Sequence, residues 1–223
     1  MTKLIIVAID EKEKASFNRI LDSLDPNLCM VKIGIVSFNA LGHDIIYSVA
    51  GKGFDIFLDL KLHDIPNTVK KSIEVLSTLP IKMLTIHTSG GRLMMESAME
   101  AIKGTDIKVF GVTALTSLSD IDTHQIYQRT ATDQVNAMLD IAEEAKIDGV
   151  VCSPHELNLV TARESLLSIT PGIRLTNSND DQTRVMNPKE AIDLGANYLV
   201  IGRPITGADD ISETLNTIYQ SIN

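Results

Sequence analysis

Eight short apolar runs recur along the chain, and they limit what it can fold into more than any other feature. Seven of them lack the polar and apolar alternation of a strand with one face in water, which is typical of parallel strands buried on both faces. Amphipathic segments such as SFNRILDSL and DQVNAMLDIAEEA lie between the runs, with apolar residues three and four positions apart. The runs span residues 4–9, 30–35, 55–60, 83–88, 108–114, 149–153, 168–173 and 198–202.

Eight alternating strand and helix units predict an α/β fold of the (β/α)8 type, a TIM barrel, as a single domain over residues 1–223. The alternative is an open, doubly wound sheet, but no G-x-G-x-x-G pattern follows the first run to support it. One polar stretch without periodicity, RLTNSNDDQTRVMN at residues 174–187, interrupts the pattern. We expect it to be a lid, because structureless segments of that length in compact domains are usually functional.

Composition argues against several classes of protein. The chain is 44% hydrophobic and 22% charged, which is ordinary for a globular protein, and no run approaches the roughly 18 apolar residues of a membrane span. The first apolar run meets Asp10 too early for a signal peptide, so we expect a cytoplasmic protein without a membrane partner. The net charge of −9, without a basic run, argues against nucleic acid as a partner. An anionic substrate would therefore need a locally positive pocket.

Few residues suggest metal or nucleophilic chemistry. Cys29 and Cys152 lie within apolar runs, and we expect buried free thiols. No spacing of His, Cys and carboxylate residues indicates zinc, and Ser153 lacks the nucleophile-elbow pattern. We expect His63 and His87 to be structural hydrogen-bonding residues.

Ionisable residues collect where the predicted strands end, at the face that carries the active sites of TIM barrels. Asp59 and Lys61 lie two apart near the end of the third run, so on an extended chain their side chains point to the same side. Asp10 ends the first run and Lys32 lies on the second. We interpret the four as an array in which each carboxylate favours the charged form of a lysine, with a surface ion pair as the alternative. Asp64 lies beyond the strand, just ahead of the next predicted helix.

The ends of the seventh and eighth runs predict an anion site. GRPIT precedes the last helix, so we expect backbone N–H groups and the Arg203 guanidinium to converge on one phosphate. Gly202 lets the backbone approach a ligand closely, and barrels frequently bind phosphate at these two loops. Arg174 follows the seventh run, and we expect Gln182 and Arg184, in the long loop, to close over the same ligand. The alternative is that Arg203 pairs with Asp209 or Asp210.

These motifs resemble the orotidine 5′-phosphate decarboxylase family over essentially the whole chain. D-x-K-x-x-D-I-P-N-T is highly specific when PGIR and GRPIT follow it in order, whereas a bare D-x-K-x-x-D is shared with related sugar-phosphate decarboxylases and synthases. Thr88 departs slightly from the family, in which a small residue such as Ala is common at that position. The motifs that carry the resemblance are AID, VKIG, DLKLHDIPNT, HTSGG, LTS, VVCS, TPGIR, DDQTR and IGRPIT.

The resemblance implies conversion of orotidine monophosphate to uridine monophosphate and CO₂ in pyrimidine biosynthesis, without a metal ion or organic cofactor. It implies a catalytic array of Asp59, Lys61, Asp64 and Lys32, with Lys61 as the proton donor to C6 of the pyrimidine. A magnesium-dependent decarboxylase or synthase of the same barrel group, acting on a sugar phosphate, is the alternative. A catalytically silent nucleotide-binding barrel is a third hypothesis.

The resemblance also implies how the substrate is held. The protein is expected to be a homodimer in which three residues of each subunit, Asp64, Ile65 and Thr68, enter the neighbouring active site. Asp59 belongs to both the array and the substrate contacts. The other implied contacts are Asp10 and Lys32 to the ribose, Thr116 and Ser117 to the pyrimidine, and Arg174, Gln182, Gly202 and Arg203 to the phosphate and lid.

Overall fold

All eight predicted strands are present, and they close into one parallel barrel in which β1 pairs with both β2 and β8. The structure is a computed structural model that describes residues 3–115, 117–175 and 186–222. The closure confirms the single-domain (β/α)8 prediction and rules out the open sheet. The strands are β1 (Ile5–Ile9), β2 (Cys29–Gly34), β3 (Ile56–Leu62), β4 (Met83–His87), β5 (Lys108–Val112), β6 (Gly149–Val151), β7 (Leu167–Thr170) and β8 (Tyr198–Ile201).

Helices follow every strand, as the amphipathic segments predict. Pro66 begins the helix after β3, because its fixed φ suits the first helical position and its missing N–H is not needed there. Within the described residues, no helix is long and apolar enough to span a membrane. The α-helices are α1 (Lys14–Asp22), α2 (Ile35–Leu41), α3 (Asp44–Gly51), α4 (Pro66–Leu76), α5 (Arg92–Ala101), α6 (Asp120–Tyr127), α7 (Ala131–Glu144), α8 (Leu157–Thr161), α9 (Pro188–Asp193), α10 (Arg203–Thr206) and α11 (Ile211–Ile222).

The strands bury both of their faces, in two separate apolar layers. On β1, Ile5 and Val7 belong to the large layer between the sheet and the helices, while Ile6 belongs to a smaller layer inside the barrel. Both layers exclude water, so the runs show no polar alternation in sequence. The inner layer consists of Ile6, Met30, Phe57, Met83, Phe110, Ile169 and Tyr198.

The barrel interior changes character towards the carboxyl ends of the strands. Two residues beyond the inner apolar layer, the inward positions of β2, β3 and β4 are the polar residues Lys32, Asp59 and Thr85. The apolar layer therefore fills the barrel below these residues. Their polar groups are left at the end where the loops after the strands can form a site.

Candidate active site

β3 is irregular at the point that carries its charged residues. Residues 59–61 face the single residue Thr85 of β4, because the pairing register shifts there. Lys61 has a φ of +52°, in the left-handed region that a residue with a Cβ seldom adopts. The expectation of an extended backbone at Lys61 is therefore wrong. A bulge, which re-aims side chains in many active sites, accompanies the approach of Lys61 to Asp59.

Asp59 is the central member of a charge array that crosses three strands. Lys61 Nζ donates hydrogen bonds to Asp59 Oδ1 and Oδ2, at 2.8 Å and 2.8 Å. Lys32 Nζ lies 3.4 Å from Asp59 Oδ2 and 3.4 Å from Asp10 Oδ1. The charges alternate in sign from Asp10 through Lys32 and Asp59 to Lys61, as the sequence pattern predicts.

The surroundings of Asp59 keep its carboxylate ionised. Burial raises the pKa of this side chain, which is only 7% exposed. The charges of Lys32 and Lys61, with hydrogen bonds from Lys61 and Thr85, outweigh burial and hold the pKa of Asp59 below its ordinary value of 3.8. Asp59 is therefore a fixed negative charge inside the barrel, near the carboxyl ends of the strands.

Two cavities open beside the array and share Lys32, Pro171 and Val200 in their walls. The larger, of about 430 Å³, is lined by Arg174, Gly202 and Arg203, among others. We call it the arginine lobe. The smaller, of about 220 Å³, is lined by Asp59, Lys61, Lys32 and the apolar residues Phe57, Val112, Ala114, Leu115, Val151, Pro171 and Val200.

We call the smaller cavity the apolar lobe. Because they share a wall, the two lobes form one cleft with an arginine-lined end and a charged, largely apolar end. Four basic residues line the cleft, against three acidic ones, although the chain as a whole carries a net charge of −9. This balance is the locally positive pocket that an anionic ligand requires.

The loop between β7 and α9 is held together at its base. Arg174 N donates to Met186 O at 3.0 Å, and Met186 N donates to Gly172 O at 3.2 Å. These bonds join the two ends of the predicted lid. Gln182 lies outside the described residues, as does the rest of the segment 176–185.

Several predicted site residues do not meet the array within this one chain. Asp64, Ile65 and Thr68 are exposed around the start of α4, and the Asp64 carboxylate accepts a hydrogen bond from Ile65 N at 2.7 Å. No hydrogen bond or ion pair joins Asp64 to the array in the part of the chain that the structure describes. Ser117 is exposed in the loop after β5, and Thr116 lies outside the described residues.

Two site residues were missed in the sequence. Thr85 is fully buried, and its hydroxyl donates to Asp59 Oδ1 at 2.9 Å. Gly34 ends β2 where an added Cβ would lie 2.6 Å from Asp10 Oδ1, so glycine leaves room for the contact between Asp10 and Lys32. The period of two along β4 could have revealed Thr85, because residues 83, 85 and 87 share the inward face.

His63 and His87 lie beside each other, and Ser153 caps a 3-10 helix. The rings of His63 and His87 lie 5.2 Å apart, and His87 Nδ1 is 3.5 Å from Ser89 Oγ. Ser153 is buried, and its hydroxyl accepts a hydrogen bond from His155 N at the start of a 3-10 helix. Among the described residues, no group of three or more His, Cys, Asp or Glu side chains is arranged to hold a metal ion.

Both cysteines are buried free thiols, as predicted. Burial raises the pKa of the Cys29 thiol to about 12, and it raises the pKa of the Cys152 thiol as well. Neither thiol is therefore a nucleophile at neutral pH.

The fold and the site together define a class of protein. It is a TIM barrel whose strand ends carry fixed charges of both signs beside an arginine-lined cavity, and such a mouth suits a phosphorylated small molecule.

Comparison with known proteins narrows this class to one family. Residues 3–218 match the model of the orotidine 5′-phosphate decarboxylase / HUMPS family. A relative from Ehrlichia canis, named orotidine 5′-phosphate decarboxylase, is 45% identical over 98% of this chain and 97% of its own. A relative of the same name from Saccharophagus degradans is 44% identical over 96% of this chain and 92% of its own. The crystal structure of orotidine 5′-phosphate decarboxylase from Lactobacillus acidophilus matches with a TM-score of 0.87, at 35% identity and 99% coverage of both chains. The chain therefore belongs to the orotidine 5′-phosphate decarboxylase / HUMPS family.

Proposed function

We propose that this chain catalyses the decarboxylation of orotidine 5′-monophosphate to uridine 5′-monophosphate and CO₂, a step of pyrimidine biosynthesis. The names of its relatives support this activity, and the cleft has the charges that the reaction needs. One observation carries the proposal. Lys61 Nζ donates two hydrogen bonds to the Asp59 carboxylate at one end of a cleft, and Arg174 and Arg203 line the other end.

The reaction needs fixed charge because the substrate cannot delocalise the electrons that CO₂ leaves behind. When the bond from C6 to the carboxylate breaks, its electron pair stays on C6 in an orbital in the plane of the ring. The Lys61 ammonium is proposed to stabilise this charge and then to transfer one proton to C6. The product is uridine monophosphate, and the neutral lysine regains its proton from water.

The size of this effect follows from Coulomb's law. An ammonium about 4 Å from a unit negative charge is worth roughly 4 kcal/mol at an effective dielectric of 20, or about a thousandfold in rate. Because Asp59 is buried and ionised, it also repels the substrate carboxylate until CO₂ leaves. This repulsion raises the free energy of the bound substrate and so lowers the barrier to the transition state. The rest of the rate enhancement is assigned to binding energy from the distant phosphate.

The arginine lobe is the proposed phosphate site. Arg174 is almost fully buried and lines the lobe with Arg203, while Gly202 lets the backbone approach a bound oxygen. Gln182, from the segment outside the described residues, stays a predicted contact to the same group.

The rest of the substrate is proposed to extend from the arginine lobe into the apolar lobe. Lys32 lines both lobes and Asp10 lies beside it in the arginine lobe, so this pair suits the ribose. The apolar walls of the smaller lobe suit the pyrimidine face. Thr116 and Ser117 remain predicted pyrimidine contacts.

We further propose a homodimer with shared active sites. Large apolar side chains are exposed in the segments that follow three adjacent strands: Ile35 (54%) after β2, Ile65 (67%) after β3 and Leu93 (65%) after β4. Such exposure around one side of the barrel mouth suits a second copy of the chain. Asp64, Ile65 and Thr68 lie in this region, so an interface there would carry them towards the partner's cleft. A cytoplasmic location also remains a prediction.

Loss of the orotate chromophore tests the activity directly. Purified protein should consume orotidine monophosphate in the presence of a chelator, with one CO₂ released per uridine monophosphate formed. No turnover with or without chelator would refute the proposed function. Turnover that chelator abolishes and Mg²⁺ restores would favour the magnesium-dependent alternative.

Hybrid dimers test whether the active sites are shared. Lys61→Ala and Asp64→Ala subunits should each be nearly inactive alone, because each homodimer lacks one of these residues in both sites. When the two are mixed and exchange, each hybrid dimer regains one site with both residues, so activity should recover to about a quarter of the wild-type value at random pairing. Exchange that is demonstrated without recovery of activity would contradict shared sites.

A further inference from the structure

Thr85 lies in the barrel wall opposite the bulge of β3. Its side chain is fully buried, and on either side of it the pairing of β3 with β4 is regular, at Leu58 with Leu84 and at Leu62 with Ile86. Thr85 is thus the one residue of β4 that faces residues 59–61, the stretch that holds the central carboxylate of the array and its lysine.

The Thr85 hydroxyl joins two members of the array. Lys61 N donates to Thr85 Oγ1 at 2.9 Å, and Oγ1 in turn donates to Asp59 Oδ1 at 2.9 Å. A hydroxyl has one proton to donate and can accept as well, so a single side chain serves both bonds. It links the backbone of Lys61 to the carboxylate that the Lys61 ammonium contacts.

The backbone of Lys61 needs such a restraint. Its φ of +52° is unfavourable for a residue with a Cβ and persists only where the surroundings impose it. If the chain relaxed to the φ of an ordinary strand, near −120°, the side chain would leave the backbone in another direction. The ammonium would then move relative to Asp59 and to any ligand in the apolar lobe.

A second buried threonine, Thr88, provides a comparison for Thr85, because its hydroxyl bonds outside the array. Thr88 is also fully buried, and its hydroxyl donates to the backbone oxygen of Val112 at 2.8 Å. That bond satisfies the hydroxyl and touches no member of the array. Thr85 differs because both of its partners belong to the array, although Thr85 itself is not among the residues that line either lobe.

We propose that Thr85 is a positioning residue, which sets the backbone of Lys61 and the carboxylate of Asp59 so that the lysine ammonium points at the reacting carbon. This inference rests on the proposed function. Thr85 acts through the array and makes no contact with the substrate, so its loss should lower the rate of the chemical step and leave nucleotide binding almost unchanged.

The kinetic test compares three variants. Thr85→Val keeps the shape and removes the hydroxyl. It should lower kcat for orotidine monophosphate roughly a hundredfold, the order of loss expected when a reacting group is misplaced by about 1 Å, with KM within about threefold. Thr85→Ser restores the hydroxyl and should recover kcat to within about fivefold of wild type. Thr88→Val, the matched control, should lose a similar amount of stability and keep kcat within about threefold.

Amide hydrogen exchange tests the same inference without any activity. The Lys61 amide should be protected in the wild type and lose at least about tenfold of its protection in Thr85→Val, while the Leu58 amide in the same strand changes little. If wild-type protein fails to turn over the substrate, the proposed function is refuted, and the exchange result still decides whether Thr85 holds the Lys61 backbone.

Three results would overturn the inference while wild-type protein is active. They are a kcat in Thr85→Val within threefold of wild type, an equal loss of kcat in the Ser and Val variants, and unchanged protection at Lys61. If Thr85→Val does not fold, Thr85→Ala takes its place against Thr85→Ser, with the same expected ratio of kcat values.

Discussion

Replacing Lys61 by alanine should nearly abolish decarboxylation and leave the protein able to bind nucleotide. The ammonium contacts Asp59 and lines the apolar lobe, while the arginine lobe is lined by other residues. The substitution therefore removes the group that is proposed to act on the reacting carbon and keeps the proposed phosphate site intact.

The magnitude has two parts. Loss of a charge about 4 Å from the developing carbanion removes roughly 4 kcal/mol, or about a thousandfold in kcat. Loss of a general acid removes about another 10²- to 10⁴-fold. Acting independently, the two give a fall in kcat of about 10⁵- to 10⁷-fold. The Kd for uridine monophosphate should stay within about tenfold of the wild-type value. Without Lys61 the negative charge of Asp59 is less neutralised, but uridine monophosphate has no carboxylate for Asp59 to repel.

Orotate absorbance measures the turnover, and calorimetric titration with uridine monophosphate measures the binding. Lys108→Ala is the matched control, because Lys108 begins β5 at the opposite end of the barrel and its Nζ lies 3.6 Å from Asp148. Turnover by Lys61→Ala within tenfold of wild type would refute the role of proton donor. Loss of nucleotide binding together with activity would show that the substitution disrupts the whole cleft.

Two further predictions concern stability. An alanine Cβ at Gly149 would lie 2.3 Å from the backbone oxygen of Leu167, so Gly149→Ala should lower the free energy of unfolding in urea by at least about 2 kcal/mol. Gly51→Ala meets no atom within 4 Å and should leave stability unchanged or slightly raised, and equal effects of the two substitutions would contradict the packing described. His87 has its pKa held below 6.5, first by burial and then by nearby positive charge. Its contribution to stability is therefore complete above pH 6.5 and is lost as the pH falls through the lower folded pKa. Wild-type protein should lose more stability than His87→Gln between pH 7.5 and 5.5 in urea titrations, and parallel curves would exclude this linkage.

The sequence predicts the barrel because the signal for it is local. Each run is apolar on both faces, each intervening segment is amphipathic, and eight such units close a parallel sheet. The strand ends carry the array for a related reason. The residues just past a buried run emerge at one face of the barrel, so Asp10, Asp59 and Lys61 could be named as site residues before any contact was known.

The contacts within the array depend on neighbouring strands. Lys32 reaches Asp10 on one side and Asp59 on the other because β2 lies between β1 and β3. Strand alternation pairs Asp59 with Lys61 but gives no reason for Asp64, which lies beyond the strand, to join them, and among the described residues no hydrogen bond or ion pair connects Asp64 to the array. Whether Asp64 completes the neighbouring subunit's array stays a prediction.

The sequence by itself therefore determined the barrel and most of the residues at its mouth, through patterns that span a few residues each. The conformation of Lys61 was decided by the tertiary structure. No local propensity places a lysine at a φ of +52°, and strand periodicity alone predicted an extended residue there. The bulge exists only in the pairing of β3 with β4. The Thr85 hydroxyl that bonds to Lys61 and Asp59 comes from the next strand, 24 residues beyond Lys61 and 26 beyond Asp59. Hydrogen bonds across these separations form only when β3 pairs with β4, so they leave no local pattern in the sequence.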